Sequence, residues 1–211
     1  MTTNPQRHNR NLAQRPNVFV ARTVDKRDRK LGRFLLGLAA ECRGEARIRT
    51  SDSVHMTVLD NDGLARTFHS RGYTAQGVLE FYNRLEAVIR GRCPHREMTV
   101  SPDTDQPFGI FGRAQNILGI RIVQSPQILE QREMIEDFIV DELGGLPKTR
   151  AFDPHIALGA CGMRLLERVG HDPQHLLRRG LEVPKNIALN GLEVYVGAIH
   201  PVDRYVPAVA A

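Results

Sequence analysis

Two histidines, His55 in "SVHMTVLD" and His155 in "FDPHIALG", stand about a hundred residues apart in short apolar, partly β-branched stretches of strand length. In an extended strand, residues two apart face the same way. His55 therefore shares a face with Thr57 and leaves Val54, Met56 and Val58 to the other, while His155 shares a face with Ala157 and leaves Ile156 and Leu158 to the other. Each strand reads as one side packed on a core and one side presenting an imidazole. Imidazole titrates near pH 6.5, so a neutral ring and a protonated ring can coexist at working pH. Two convergent rings suit phosphodiester hydrolysis: one takes a proton from the attacking water and the other gives one to the leaving oxygen. A hydroxyl beside the rings, such as that of Thr57, would hold charge on a non-bridging phosphoryl oxygen. No metal is needed for this chemistry.

Other candidates carry thinner signals. "HDPQH" sets His171 and His175 four apart, the spacing of two zinc ligands on a helix, but Pro173 lies between them and no acidic third ligand is patterned nearby. Cys93 and His95 in "CPH" stand where a helical pattern ends, without a third partner, and read more simply as a turn than as a nucleophile and base. His8, His69 and His200 occupy polar, loop-like surroundings. Tyr195 alternates away from the apolar face of its strand and offers a ring for a base to stack on, against the simpler reading of a half-buried tyrosine.

The elements that must position the histidines follow from hydrophobic period. "NVFVARTV" from Asn17 is a strand, and the spacing of Leu31, Phe34, Leu35 and Leu38 predicts a helix over 25–41. "RIRTSDSVHMTVLD" returns to strand alternation. A helix from Thr74 carries Val78, Phe81, Leu85 and Val88 or Ile89, with Gly91 as its stop. "REMTVS" and "FGIFGRAQNILGIRIV" read as strands with a turn around "GRAQN". "SPQILEQREMIEDFIVDEL" opens on a serine cap and a proline at the first helical position, buries Ile128, Ile135, Phe138 and Ile139, and ends at "GGLP". After "FDPHIALG" comes a short helical or irregular stretch, then a strand in which Leu192, Val194 and Val196 alternate with Glu193 and Tyr195. No Gly-rich phosphate loop follows a strand, so the pattern predicts an α+β fold of antiparallel strands rather than a doubly wound parallel sheet.

Composition sets the outer bounds. The chain has 211 residues, 41% hydrophobic and 25% charged, as an ordinary globular protein does. The absence of a long apolar run and the polar first 16 residues predict a cytoplasmic protein with no membrane segment. Cys42, Cys93 and Cys161 are an odd set without CxxC spacing, which predicts reduced thiols. The net charge is +5, and of 29 basic residues four are lysine, so guanidinium, whose planar fork suits phosphate, dominates the positive surface. The arginines are scattered rather than clustered, so a phosphorylated or nucleic-acid partner is permitted and not required.

"HMTV" with "HIAL", preceded by "FDP" and followed by Gly159, resembles the paired H-x-T/S signatures of the two-histidine (2H) phosphoesterase superfamily, which includes bacterial RNA 2',3'-cyclic phosphodiesterases described as 2'-5' RNA ligase-like. The resemblance extends from Asn17 to Ile199. It implies a bilobal α+β domain over 17–200, with two antiparallel sheets facing a central cleft and helices outside, a polar basic tail at 1–16 and a second tail at 201–211. It also implies an acid and base pair of His55 and His155, with Thr57 as phosphate-oxygen ligand, no cofactor, and an RNA end or small cyclic nucleotide as substrate. The chain departs from the signature at Ala157, where the family carries threonine or serine, and its first basic residue after the second motif is delayed to Arg164, which is then the candidate for substrate binding there. One phosphate donor is thereby removed, at a cost of about 3 kcal/mol at a tuned site. The resemblance leaves open slow turnover or a nucleotide- or RNA-binding module without catalysis, and no protein partner can be inferred from it.

Overall fold

The computed structural model describes residues 18–59, 62–93, 97–112, 115–146, 152–169, 172–196 and 200–201. Both expected tails lie almost wholly outside these residues. The described strands are β1 Val18–Val24, β2 Ala46–Ile48, β3 His55–Leu59, β4 Met98–Val100, β5 Phe108–Phe111, β6 Ile117–Arg121, β7 His155–Cys161, β8 Ile187–Val196 and β9 His200–Pro201. The helices are α1 Arg29–Cys42, α2 Asp62–Ser70, α3 Ala75–Arg92, α4 Pro126–Leu143 and α5 Met163–Val169, followed by a 3-10 turn at Pro173–Arg179. Every described strand pairing is antiparallel, so the fold is α+β as expected.

The two expected sheets are continuous. The described strands form one nine-stranded sheet in the order β4-β8-β1-β3-β7-β6-β5, with β2 on β7 and β9 on β8. The join between the halves is short: β3 meets β7 at His55↔Ala157 and Met56↔Ile156. The two histidine strands are thus the central pair of the sheet. Helices α3 and α4 pack against each other and cover one half through β8 and β3, while α1 and the 3-10 turn cover the other through β2 and β5. One row of side chains marks the covered face, running from Arg22 through Met56, Ile156 and Ile120 to Phe108, whose ring meets Phe34 of α1 edge-on. The opposite face carries both histidines.

Local chemistry explains the element ends. The Asp28 carboxylate accepts from the Lys30 and Leu31 amides, so α1 begins at Arg29, four residues later than its apolar spacing suggests. Ser125 and Gly144 bound α4 as the sequence predicts, the latter at φ 62°. Gly91 does not stop α3, which continues to Arg92 with Cys93 in the capping position. Helix α2 is unpredicted, because Leu64 and Phe68 are the buried residues among those described on it, too few to stand out as a period.

Candidate functional site

Register brings the two motifs together. Across the face opposite the covering helices, one row runs Thr23, His55, Ala157, Gly119 and Gly109. In the next row Ala21 pairs with Thr57 and Arg121 pairs with His155, and the β3–β7 register continued by one residue sets Thr57 against His155. The histidines are therefore diagonal neighbours on adjacent strands, where Cβ atoms lie about 7 Å apart. Bulges lie beside both motifs. Leu59 and Thr57 oppose the consecutive Val20 and Ala21, and Gly159 and Ala157 oppose the consecutive Leu118 and Gly119. The carbonyls of the two intervening residues are taken up elsewhere: Arg132 Nη1 donates to Val58 O at 3.1 Å and the Arg49 amide donates to Leu158 O at 2.7 Å. Gly159 is needed because a Cβ there would strike the Arg47 carbonyl oxygen of β2.

The two imidazoles are held alike. Nδ1 of His55 lies 3.0 Å from Ser53 O and Nδ1 of His155 lies 2.8 Å from Asp153 O, in each case the carbonyl two residues earlier. A carbonyl only accepts, so a hydrogen on Nδ1 satisfies it and leaves Nε2 to accept or pass a proton, although at His55 the Arg49 guanidinium, which only donates, competes for the same nitrogen. Each ring also lies on a phenylalanine. Phe19 of β1 stacks on His55 at 5.2 Å, and Phe111 of β5 stacks on His155 at 4.1 Å with the planes 5° apart. Glycines make room for the second contact, since Cβ atoms at Gly109 and Gly119 would meet the Phe111 ring at 3.0 and 2.9 Å. The phenylalanines had no signal in the sequence, although "FGIFG" and "LGI" do place the glycines beside Phe111.

Charge differs between the two rings. His55 is 7% exposed, not solvent-facing as its strand face implied, because Phe19 and Arg49 enclose it. Burial first, and then the guanidinium of Arg49 and the neighbouring His155, push its pKa down to about 4. The Arg49 Nη1 donates to Ser53 O at 3.1 Å and sits 3.3 Å from Nδ1, behind the ring. His155 is half-buried, and its pKa is lowered chiefly by burial and by Arg121, opposed by its bond to the Asp153 carbonyl and by the Asp153 carboxylate. Arg121 Nη1 stands 3.4 Å from Asp153 Oδ1, and its Cζ lies 5.3 Å from the Phe111 centroid.

The structure gathers His55, His155, Thr57 and Ala157 and separates the remaining candidates from them. Tyr195 is 3% exposed: Phe19 stacks on its ring at 5.8 Å and its hydroxyl donates to Glu193, so it has no open face for a base. Arg164 is exposed on α5, beyond the end of β7 opposite to His155, about 20 Å along the strand. His175 lies in the 3-10 turn with Nε2 3.8 Å from the Asp172 carboxylate, and His171 is outside the described residues. Among the described residues no group of three or more His, Cys, Asp or Glu could hold a metal ion. Cys93 contacts Met134 through sulfur, and burial raises its thiol pKa, the reverse of an activated nucleophile; His95 is outside the described residues. Cys42 and Cys161 are buried, with the Cys42 thiol pushed up to about 11. His69 is in the last turn of α2, His8 lies outside the described residues, and His200 is placed by its backbone in β9. No described helix is long and apolar enough to cross a membrane.

No family model and no curated protein matches the sequence. Among solved structures, the chain is similar to a conserved protein of unknown function from Agrobacterium tumefaciens, at TM-score 0.54 and 13% identity over 87% of this chain and 81% of that one. LigT from E. coli, solved in complex with 3'-AMP, aligns at TM-score 0.48 and 15% identity over 86% of this chain and 88% of that one. Usb1 from Kluyveromyces marxianus aligns at TM-score 0.49 and 11% identity, over 87% of this chain and 95% of that one. At such identities the likeness is one of fold. The chain shares the α+β architecture of the Agrobacterium protein, and the other two alignments fall below the similarity on which a functional argument could rest.

Proposed function

We propose that the chain is a two-histidine phosphoesterase that hydrolyses a 2',3'-cyclic phosphate, on an RNA end or a small cyclic nucleotide. The observation that carries this reading is the matched support of His55 and His155: adjacent strands, the same ring nitrogen tied to the carbonyl two residues back, and a phenylalanine on each ring. Such pinning would leave the Nε2 of each ring to serve one reacting group, as paired acid and base catalysis requires. His55, kept neutral by burial and by the Arg49 cation, is the base. It takes a proton from water as the water oxygen bonds to phosphorus. His155, with the Asp153 carboxylate nearby, is the acid and gives its proton to the ribose oxygen as the P–O bond breaks, leaving a phosphate monoester. Thr57 donates to a non-bridging oxygen. The cyclic phosphate's own negative charge favours protonation of His155 when the site is filled.

The test is turnover of 2',3'-cyclic nucleotides and of a 2',3'-cyclic-ended RNA, in EDTA, by wild type, His55→Ala and His155→Ala. Each variant should lose about 100-fold or more in rate while melting as wild type does. Full activity in either variant refutes the assignment. Ala157 supports a second reading, a binding module for nucleotides or RNA, and binding without turnover by the wild type would select it.

A further inference from the structure

Position 157 lacks a hydroxyl, so the phosphoryl group has one fewer neutral donor on that side of the cleft. We propose that Arg121, reaching from β6, supplies that contact, so that the anion lies along Thr57, His155 and Arg121 and the ligand is an anionic phosphate ester. This rests on the phosphoesterase reading for its catalytic meaning, but its binding consequence can be measured without turnover. Arg121 is the cross-strand partner of His155 and so shares its face. On its other side the Phe111 ring fills the space over Gly119, so the ligand would lie toward Thr57 and the small Ala157.

The guanidinium also has capacity to spare. Its Nε is buried without a hydrogen-bond partner, so the guanidinium is not saturated and a ligand would meet its terminal nitrogens. Its ion pair with Asp153 is long at 3.4 Å between side chains 37% and 48% exposed, a contact of little strength that a phosphate oxygen can replace. The Phe111 ring meanwhile steadies the guanidinium. Arginine can donate two parallel bonds to phosphate, which compensates for a missing hydroxyl in both charge and donors.

Other arginines are placed for other work. Arg49 lies on the Nδ1 side of His55 and donates to Ser53 O. Arg22 is 0% exposed on the helix-covered face, bonded to Gln131 and to the Asn190 carbonyl. Arg164 lies at the far end of β7.

The experiment is calorimetric titration of adenosine 2'-monophosphate and adenosine 3'-monophosphate into wild type, Arg121→Gln, Arg121→Lys and the exposed control Arg33→Gln, with ring proton NMR of His155 in each. Arg121→Gln should weaken binding at least tenfold, Arg121→Lys should fall between, and Arg33→Gln should bind as wild type. With the cation gone, the His155 pKa should rise in Arg121→Gln. Adding Ala157→Thr to Arg121→Gln should restore part of the affinity. Binding by Arg121→Gln within twofold of a wild type that binds overturns the proposal, as does failure of the wild type to bind either monophosphate. If the wild type binds but hydrolyses no cyclic phosphate, the catalytic reading fails and the Arg121 contact is judged on affinity alone.

Discussion

Adding one methyl group at Gly119 tests whether the bed beneath His155 matters. The new Cβ would stand 2.9 Å from Phe111 Cδ2, 3.0 Å from Phe111 Cε2 and 3.0 Å from the Ile156 carbonyl oxygen. The ring can turn aside, but the carbonyl is fixed in the β6–β7 ladder, so some strain remains whichever way the ring moves. Overpacking of this kind costs about 1–3 kcal/mol, and a lost ring stack costs about 0.5–1.5 kcal/mol. A net loss of about 2 kcal/mol should lower Tm by about 4–8 °C in a domain of this size. A displaced Phe111 also leaves His155 without its nearly parallel neighbour, and a misplacement of about 1 Å at an acid can cost about 100-fold in rate. Thermal melts and steady-state turnover of a 2',3'-cyclic nucleotide by wild type, Gly119→Ala and Phe111→Leu separate the two effects. Phe111→Leu removes the ring without crowding the carbonyl, so it should share the rate loss. Gly119→Ala with wild-type melting and wild-type kcat would show that neither the glycine nor the stack positions the imidazole.

Two further outcomes follow from the site. Burial lowers the His55 pKa from 6.5 to about 4, so the unfolded chain binds a proton that the folded one refuses between those values. The corresponding stability, about 3 kcal/mol, is fully present above pH 6.5 and is lost as pH falls through about 4. Urea unfolding across that range should show a shallower pH dependence in His55→Gln than in wild type, and equal slopes would refute the burial argument. In the Arg121→Gln background, Ala157→Thr should raise turnover about tenfold, or about 1.4 kcal/mol, by adding a donor directly across from His55. An equally stable variant with unchanged or lower turnover would mean that the other ligands already saturate the phosphoryl oxygens.

The sequence determined the side on which each histidine stands, because alternation of period two is a local property, but it presents as one stretch what the structure divides into β2 and β3. Val54 and Met56 against His55 and Thr57 need no partner strand to be read. It also determined the caps at Ser125 and Gly144, which act over a single turn. Asp28 shows the limit of that legibility: its side chain sets the start of α1, whereas apolar spacing alone placed the start earlier. The tertiary structure decided what the histidines meet. The β3–β7 register, the bulges beside both motifs, the stacks on Phe19 and Phe111 and the approach of Arg121 all join residues far apart in the chain. It likewise closed the face of Tyr195 and sent Arg164 to the far end of β7, neither of which periodicity could distinguish from an open site. A period records which way a side chain points, but burial, charge and reach depend on which strand lies beside it, and that is fixed only when the sheet assembles.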